Sequence, residues 1–170
     1  MATVRHDARK KYRHELRYDA APEVVHAMLA DRVFREKVCV AMATISHEVT
    51  IDRRGEGMSV RIDMLQNTQG IPAVAKRIVG DKTRVVQSEE WRSPTAAELL
   101  VEIPGRPGSL TGTISLAADG SGSVEVVEGD LEVAIPVIGG KLAKLIGNVL
   151  DDALDTEQEV GRNWLAENHH

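Results

Sequence analysis

The sequence predicts an α+β domain in which a curved antiparallel sheet wraps around one long carboxy-terminal helix. Three observations carry this. Several runs alternate apolar and polar residues with period two and are separated by short turns. Helix-start signals follow the first of these runs. The last segment, from about Pro136 to Ala166, changes to helical periodicity and stays there.

The elements follow in chain order. In Lys11 to Tyr18, the residues Tyr12, His14, Leu16 and Tyr18 share one face, and Lys11, Arg13, Glu15 and Arg17 share the other. That is a half-buried strand. Residues 1–10 read as a flexible tail, and the basic run Arg5, Arg9, Lys10, Lys11, Arg13 and Arg17 as a solvated lead-in. Pro22 followed by Glu23 starts a short helix with Val25, Met28 and Leu29 on its apolar side. Asp31 caps a second, whose expected stripe is Val33, Phe34, Val38 and Ala41.

Beyond Ala43 the period returns to two. Ile45, His47, Val49 and Ile51 form one face of a strand, the turn Arg53 to Gly57 follows, and Met58, Val60, Ile62 and Met64 form the matching face of the next. Pro72 and Gly80 bracket a short greasy helix. Lys82 to Trp91, Ala96 to Ile103, Leu110 to Leu116 and Val124 to Ile135 are four further strands, the last with a bulge or bend expected at Gly129. The final helix would be about 45 Å long at 1.5 Å per residue. Ile138, Leu142, Leu145, Ile146, Val149, Leu150, Ala153, Val160 and Trp164 fall in one arc, so an apolar surface must lie along most of its length. Gly139 and Gly140 allow a sharp turn off the last strand into that helix. Strands joined by short turns imply a meander, and 170 residues imply one domain.

This order of elements resembles the helix-grip fold of the START-like superfamily, which includes the birch-pollen allergen, lipid-transfer START domains and polyketide cyclases. The resemblance rests on Ile135-Pro136-Val137-Ile138-Gly139-Gly140-Lys141-Leu142, on Trp164-Leu165, and on Ala21-Pro22-Glu23-Val24-Val25 with Asp31. A bacterial subgroup known only as a domain of unknown function is the expected match. The resemblance implies a pocket between sheet and last helix that takes an apolar or amphipathic small molecule. The glycine-rich loop of the pollen-allergen relatives is not matched by Arg53 to Gly57, so anion binding is not carried over.

Composition narrows the function. A net charge of −5 disfavours nucleic acid as partner. Cys39 is the single cysteine, which excludes an internal disulfide and fits a reducing, cytoplasmic setting. No run is long and apolar enough for stable membrane insertion. Residues 167–170, with His169-His170, resemble the remnant of a purification tag. No motif for a metal, nucleotide or other cofactor is present.

Polar residues on apolar faces are the candidates for function, because a buried polar group needs a partner and a ligand can supply one. His14 and His47 sit on inward faces; each either points into the pocket or is a core histidine bonded to a neighbour. Trp91 and Val85 draw Gln87 and Glu89 inward, while Val86 supports the opposite register. An inward Glu89 would pair with His14 or His47. Glu157 lies in the apolar arc of the last helix, at the pocket mouth or against a ligand, and the mouth is preferred. Gln66 lines an opening. Asp151, Asp152 and Asp155 read as solvated charges, Cys39 as a packed thiol, and Gly105 to Gly108 as a plain turn.

The expected ligand-binding set is Tyr12, His14, His47, Met64, Gln87, Glu89, Trp91, Leu142, Ile146, Val149 and Glu157, with Ala73, Val74 and Ile78 on a lid. Three functions fit, in this order. The first is binding of an apolar or amphipathic molecule. The second is a cyclase- or hydratase-type enzyme with His14 or His47 as base, oriented by Glu89. The third is a protein-interaction module of the kind found among co-chaperone relatives.

Overall fold

The computed structural model describes residues 8–135 and 138–167. Residues 1–7 of the expected tail, Pro136 and Val137 of the hinge, and His169-His170 lie outside the described residues. The chain runs β1 (Ala8–Tyr18), α1 (Pro22–Leu29), α2 (Arg32–Ala41), β2 (Ser46–Arg54), β3 (Gly57–Asn67), α3 (Ala73–Val79), β4 (Lys82–Ser93), β5 (Ala96–Glu102), β6 (Gly108–Asp119), β7 (Gly122–Val133) and α4 (Gly139–Glu167). Residues 8–10, expected in the tail, belong to β1, and Glu167 belongs to α4.

All seven strands form one antiparallel sheet in the order β1-β7-β6-β5-β4-β3-β2. The meander β2 to β7 is completed by β1, which returns beside β7. The edges are therefore β1 and β2, and this decides where their inward faces look. Helix α4 lies along β1 and β7 and crosses α2. At 1.5 Å per residue its 29 residues span about 44 Å. This is a helix-grip fold.

Local signals explain the short helices. Pro22 opens α1. The Asp31 carboxylate accepts the Val33 amide at 2.8 Å and caps α2. The buried stripe of α2 differs from expectation: Phe34, Arg35, Val38 and Cys39 are inside, and Val33 is half exposed. The helix is turned so that an arginine enters the core, because two strand carboxylates wait for it there.

No bulge forms at Gly129. The β6–β7 register is unbroken, and Gly129 lies opposite Gly112. A Cβ on Gly129 would sit 2.2 Å from the Thr111 carbonyl oxygen, and one on Gly112 would sit 2.0 Å from that of Glu128. The two glycines let the backbones of β6 and β7 close on each other between Leu110, Ile114, Val127 and Leu131, all buried on the concave face. Among the described residues the ladders are irregular between Trp91 and Ser93, where β4 meets β5.

The core gathers where α1, α2 and the end of α4 meet β1 and β7. Leu16, Val25, Leu29 and Phe34 have no accessible surface there, and Leu165 is buried beside them. Phe34 meets Trp164 edge-on at 5.8 Å. Farther along α4 the packing loosens, and Leu145, Ile146, Leu150 and Leu154 are only partly buried.

Candidate functional site

The looser packing marks a cavity of about 210 Å³ between α4 and strands β3 to β7. Its walls are aliphatic: Ile62 and Met64 on β3, Val85 on β4, Val101 on β5, Leu110 on β6, Leu131 and Val133 on β7, and Leu142, Ile146 and Leu150 on α4. Helix α3 contributes Ala75, Ile78 and Val79. Exposed residues form the rim: Arg106 and Pro107 from the β5–β6 turn, and Val149 from α4.

The opposite end is polar, where buried Arg35 and Glu157 and half-buried Gln87 face the space. Behind them the Arg35 guanidinium forms a bidentate pair with Glu89, at 2.9 Å and 2.8 Å, and its Nε donates to the Leu29 carbonyl at 2.8 Å. Glu89 also accepts from Gln87 Nε2 at 2.6 Å and Trp91 Nε1 at 2.8 Å. Burial opposes its charge, but the guanidinium and these donors outweigh burial and hold its carboxyl below the usual range. The same carboxylates keep Arg35 charged although burial works against it.

Two further carboxyls stand close to that pair. Glu157 approaches Arg35 at 3.6 Å. Its carboxyl accepts no hydrogen bond among the described residues. Burial raises it, Arg35 pulls it down and Glu89 raises it again, which together bring it to about 7. Glu125, inward on β7, is buried with its Oε2 unpartnered. Burial first, and Glu157 second, raise its carboxyl well above the ordinary value. Tyr18, whose hydroxyl is buried without a partner, is pushed up by burial and by these two acids. One guanidinium cannot balance three buried carboxylates, so Glu125 is held neutral, Glu89 ionised, and Glu157 between the two.

The family model described as "Protein of unknown function (DUF2505)" matches residues 13–165. The chain belongs to this family. An uncharacterised protein of Mycobacterium tuberculosis is 26% identical over 122 residues, which cover 67% of this chain and 70% of that protein. Among solved structures, TTHA0849 from Thermus thermophilus superposes with a TM-score of 0.64 at 21% identity, covering 95% of this chain and 100% of that one. The Zhui aromatase/cyclase from a Streptomyces species gives 0.63 at 12% identity, covering 96% and 97%. These likenesses bear on the fold.

Within the DUF2505 chain, the residues singled out by sequence fall into two groups. Met64, Gln87, Leu142, Ile146, Val149 and Glu157 lie on the cavity wall, as does Gln66. Glu157 is at the buried end, not the mouth, because α4 carries it under Arg35. Tyr12, His14, His47, Glu89 and Trp91 are not on the wall. The Tyr12 hydroxyl donates to Asp151 at 2.8 Å, and the His14 ring sits between Asp151, at 3.1 Å, and Asp155, at 3.0 Å. Edge strand β1 faces the polar flank of α4, so its inward side chains clip the helix and the two aspartates are anchors. His47, on the other edge, lies 3.0 Å from the Thr44 hydroxyl beside α2. Trp91 is buried against Glu89 and His26. A base made of His14 or His47 with Glu89 is therefore not assembled.

The lid expectation also changes. Ala73 and Val74 face outward, and α3 turns Ala75, Ile78 and Val79 to the cavity. The turn Gly105 to Gly108 does more than connect strands, since Arg106, Pro107 and Gly108 line the rim. Cys39 is on the wall too, with a thiol that burial pushes up to about 11. Sequence reasoning missed Arg35 and Glu125. The parity of β7, which places Glu125 with Val127, Leu131 and Val133, was the available signal for the second.

Proposed function

We propose that this DUF2505 chain binds an apolar or amphipathic small molecule between the sheet and α4, apolar body against the aliphatic walls and polar end at Arg35, Gln87 and Glu157. The observation that carries it is an unfilled aliphatic space of about 210 Å³ ending in buried polar groups. An engineered apolar cavity of about 150 Å³ stays dry and takes up benzene. By a scale of about 24 cal/mol per Å³, leaving this space empty forgoes roughly 5 kcal/mol of packing. A ligand recovers part of that, at about 0.8 kcal/mol for each buried CH₂. The volume is below the range usual for drug-sized ligands, so the occupant is small or extends past Arg106 and Val149.

The wider reading places the family in the START-like superfamily, where a sheet clasping a helix around a small molecule recurs. A polyketide-like or lipid-like ligand fits the walls. The net charge of −5 speaks against nucleic acid, and no described helix is long and apolar enough to cross a membrane. The test is methyl-detected NMR of the full chain titrated with hexan-1-ol, together with native mass spectrometry of the freshly purified protein. Saturable shifts confined to the methyls of Ile78, Leu110, Ile146 and their neighbours are expected. Shifts scattered over the surface, with no saturation, overturn the reading.

A further inference from the structure

The buried end of the cavity presents a carboxyl with no hydrogen bond among the described residues, and that group selects among ligands. The cationic group there, Arg35, is already committed: both terminal nitrogens go to Glu89 and Nε to the Leu29 carbonyl. It offers no free bidentate edge to an incoming carboxylate or phosphate. The group that faces the space without a hydrogen bond is a carboxyl, Glu157, which is 8% exposed and has Arg35 no nearer than 3.6 Å. Beside it one N–H of the Gln87 amide goes to Glu89, and the amide oxygen stands as an acceptor.

Resting on the ligand-binding reading above, we infer that the ligand is an apolar molecule ending in a primary amine, held as the ammonium by the Glu157 carboxylate and the Gln87 oxygen. Charge counting supports this. With Glu125 neutral and Glu89 ionised against Arg35, an ionised Glu157 leaves one uncompensated negative charge, and one ammonium cancels it. A carboxylate head would bring a negative charge into a low-dielectric space whose guanidinium is already paired with Glu89. A hydroxyl head would satisfy the hydrogen bonds and leave Glu157 protonated, with no proton released.

The ionisable groups facing Glu157 come from every element packed against it: Arg35 and Cys39 on α2, Glu89 on β4, Glu125 on β7 and Tyr18 on β1. Arg35 is the cation among them, and it stays paired. Binding of the ammonium to protonated Glu157 expels that proton to solvent, so each ligand bound below neutral pH releases up to one proton.

The experiment is isothermal titration calorimetry of the full chain at pH 6.5 with hexylamine, hexan-1-ol and hexanoate, in two buffers of different ionisation enthalpy. Charge-assisted hydrogen bonds exceed neutral ones enough for hexylamine to bind about tenfold tighter than hexan-1-ol. Hexanoate is expected to bind weakest, and the hexylamine heat to show proton release. In Glu157→Gln the amine-to-alcohol ratio should fall toward one. Equal binding of amine and alcohol, tighter binding of hexanoate, or an unchanged ratio in the variant overturns the amine assignment alone. Failure of all three probes to bind overturns the ligand reading beneath it.

Discussion

Replacing Arg35 with methionine removes one side chain and strands two acids, Glu89 and Glu157. The guanidinium is 2% exposed and the Glu89 side chain is fully buried. The variant loses two charge-assisted hydrogen bonds to Glu89, one hydrogen bond to the Leu29 carbonyl, and the attraction to Glu157. Glu89 keeps only Gln87 and Trp91 as donors. Breaking one side of a buried pair costs about 3–5 kcal/mol, most of it the penalty of the charge left behind. Against a total of roughly 5–15 kcal/mol for a domain, Arg35→Met should sit near the edge of unfolding.

Glu89→Gln should cost less, because Glu157, 3.6 Å from the guanidinium, can ionise and take over the pair. In the double variant the stranded charge is gone, so a double-mutant cycle should return a coupling of at least about 2 kcal/mol. Urea unfolding followed by circular dichroism reads all four corners, with m-values checking two-state behaviour. A loss below about 1 kcal/mol in Arg35→Met, or no coupling, refutes the claim that the cluster is a paired, desolvated unit.

Four other substitutions have outcomes that the packing and charges fix. Gly129→Ala brings a Cβ to 2.2 Å from the Thr111 oxygen and 2.6 Å from Gly112 Cα, both backbone atoms that cannot step aside. It should lose about 2 kcal/mol or more, some 4–8 °C in Tm. Gly147→Ala in α4 meets nothing within 4 Å and should gain up to about 1 kcal/mol. Equal effects of the two substitutions would contradict the close approach of β6 and β7.

Glu157 titrates near 7 in the fold against an ordinary 4.5, so its stabilising contribution is complete below about pH 4.5 and lost as pH rises through about 7. Relative to Glu157→Gln, the wild type should therefore lose about 3 kcal/mol between pH 4.5 and 8 by urea unfolding. A constant difference would contradict the raised carboxyl. Ala75→Phe, directed from α3 into the cavity, should weaken hexan-1-ol binding at least about tenfold while Tm holds or rises. Undiminished binding would place the alcohol elsewhere.

The fold was legible because period-two runs and one long helical arc are local signals. Parity and angle put Met64, Leu142 and Ile146 on inward faces, and all three lie on the cavity wall. The histidines misled for a topological reason. Parity shows that His14 and His47 face inward, but both strands turned out to be edges, where inward means toward the flank of α4 or toward α2. Arg35 left no trace in sequence. It stands in α2 outside the apolar stripe expected there, and its partners are 54 and 122 residues away. Burial of a charge is decided by what meets it across the fold.

Ligand binding here depends on an open aliphatic space between sheet and helix, and xenon reports on it because xenon enters dry apolar cavities. A crystal of the full chain pressurised with xenon should show the atom among Met64, Ile78, Leu110 and Ile146. A crystal with no xenon there, and those side chains in mutual contact across the gap, would contradict the account.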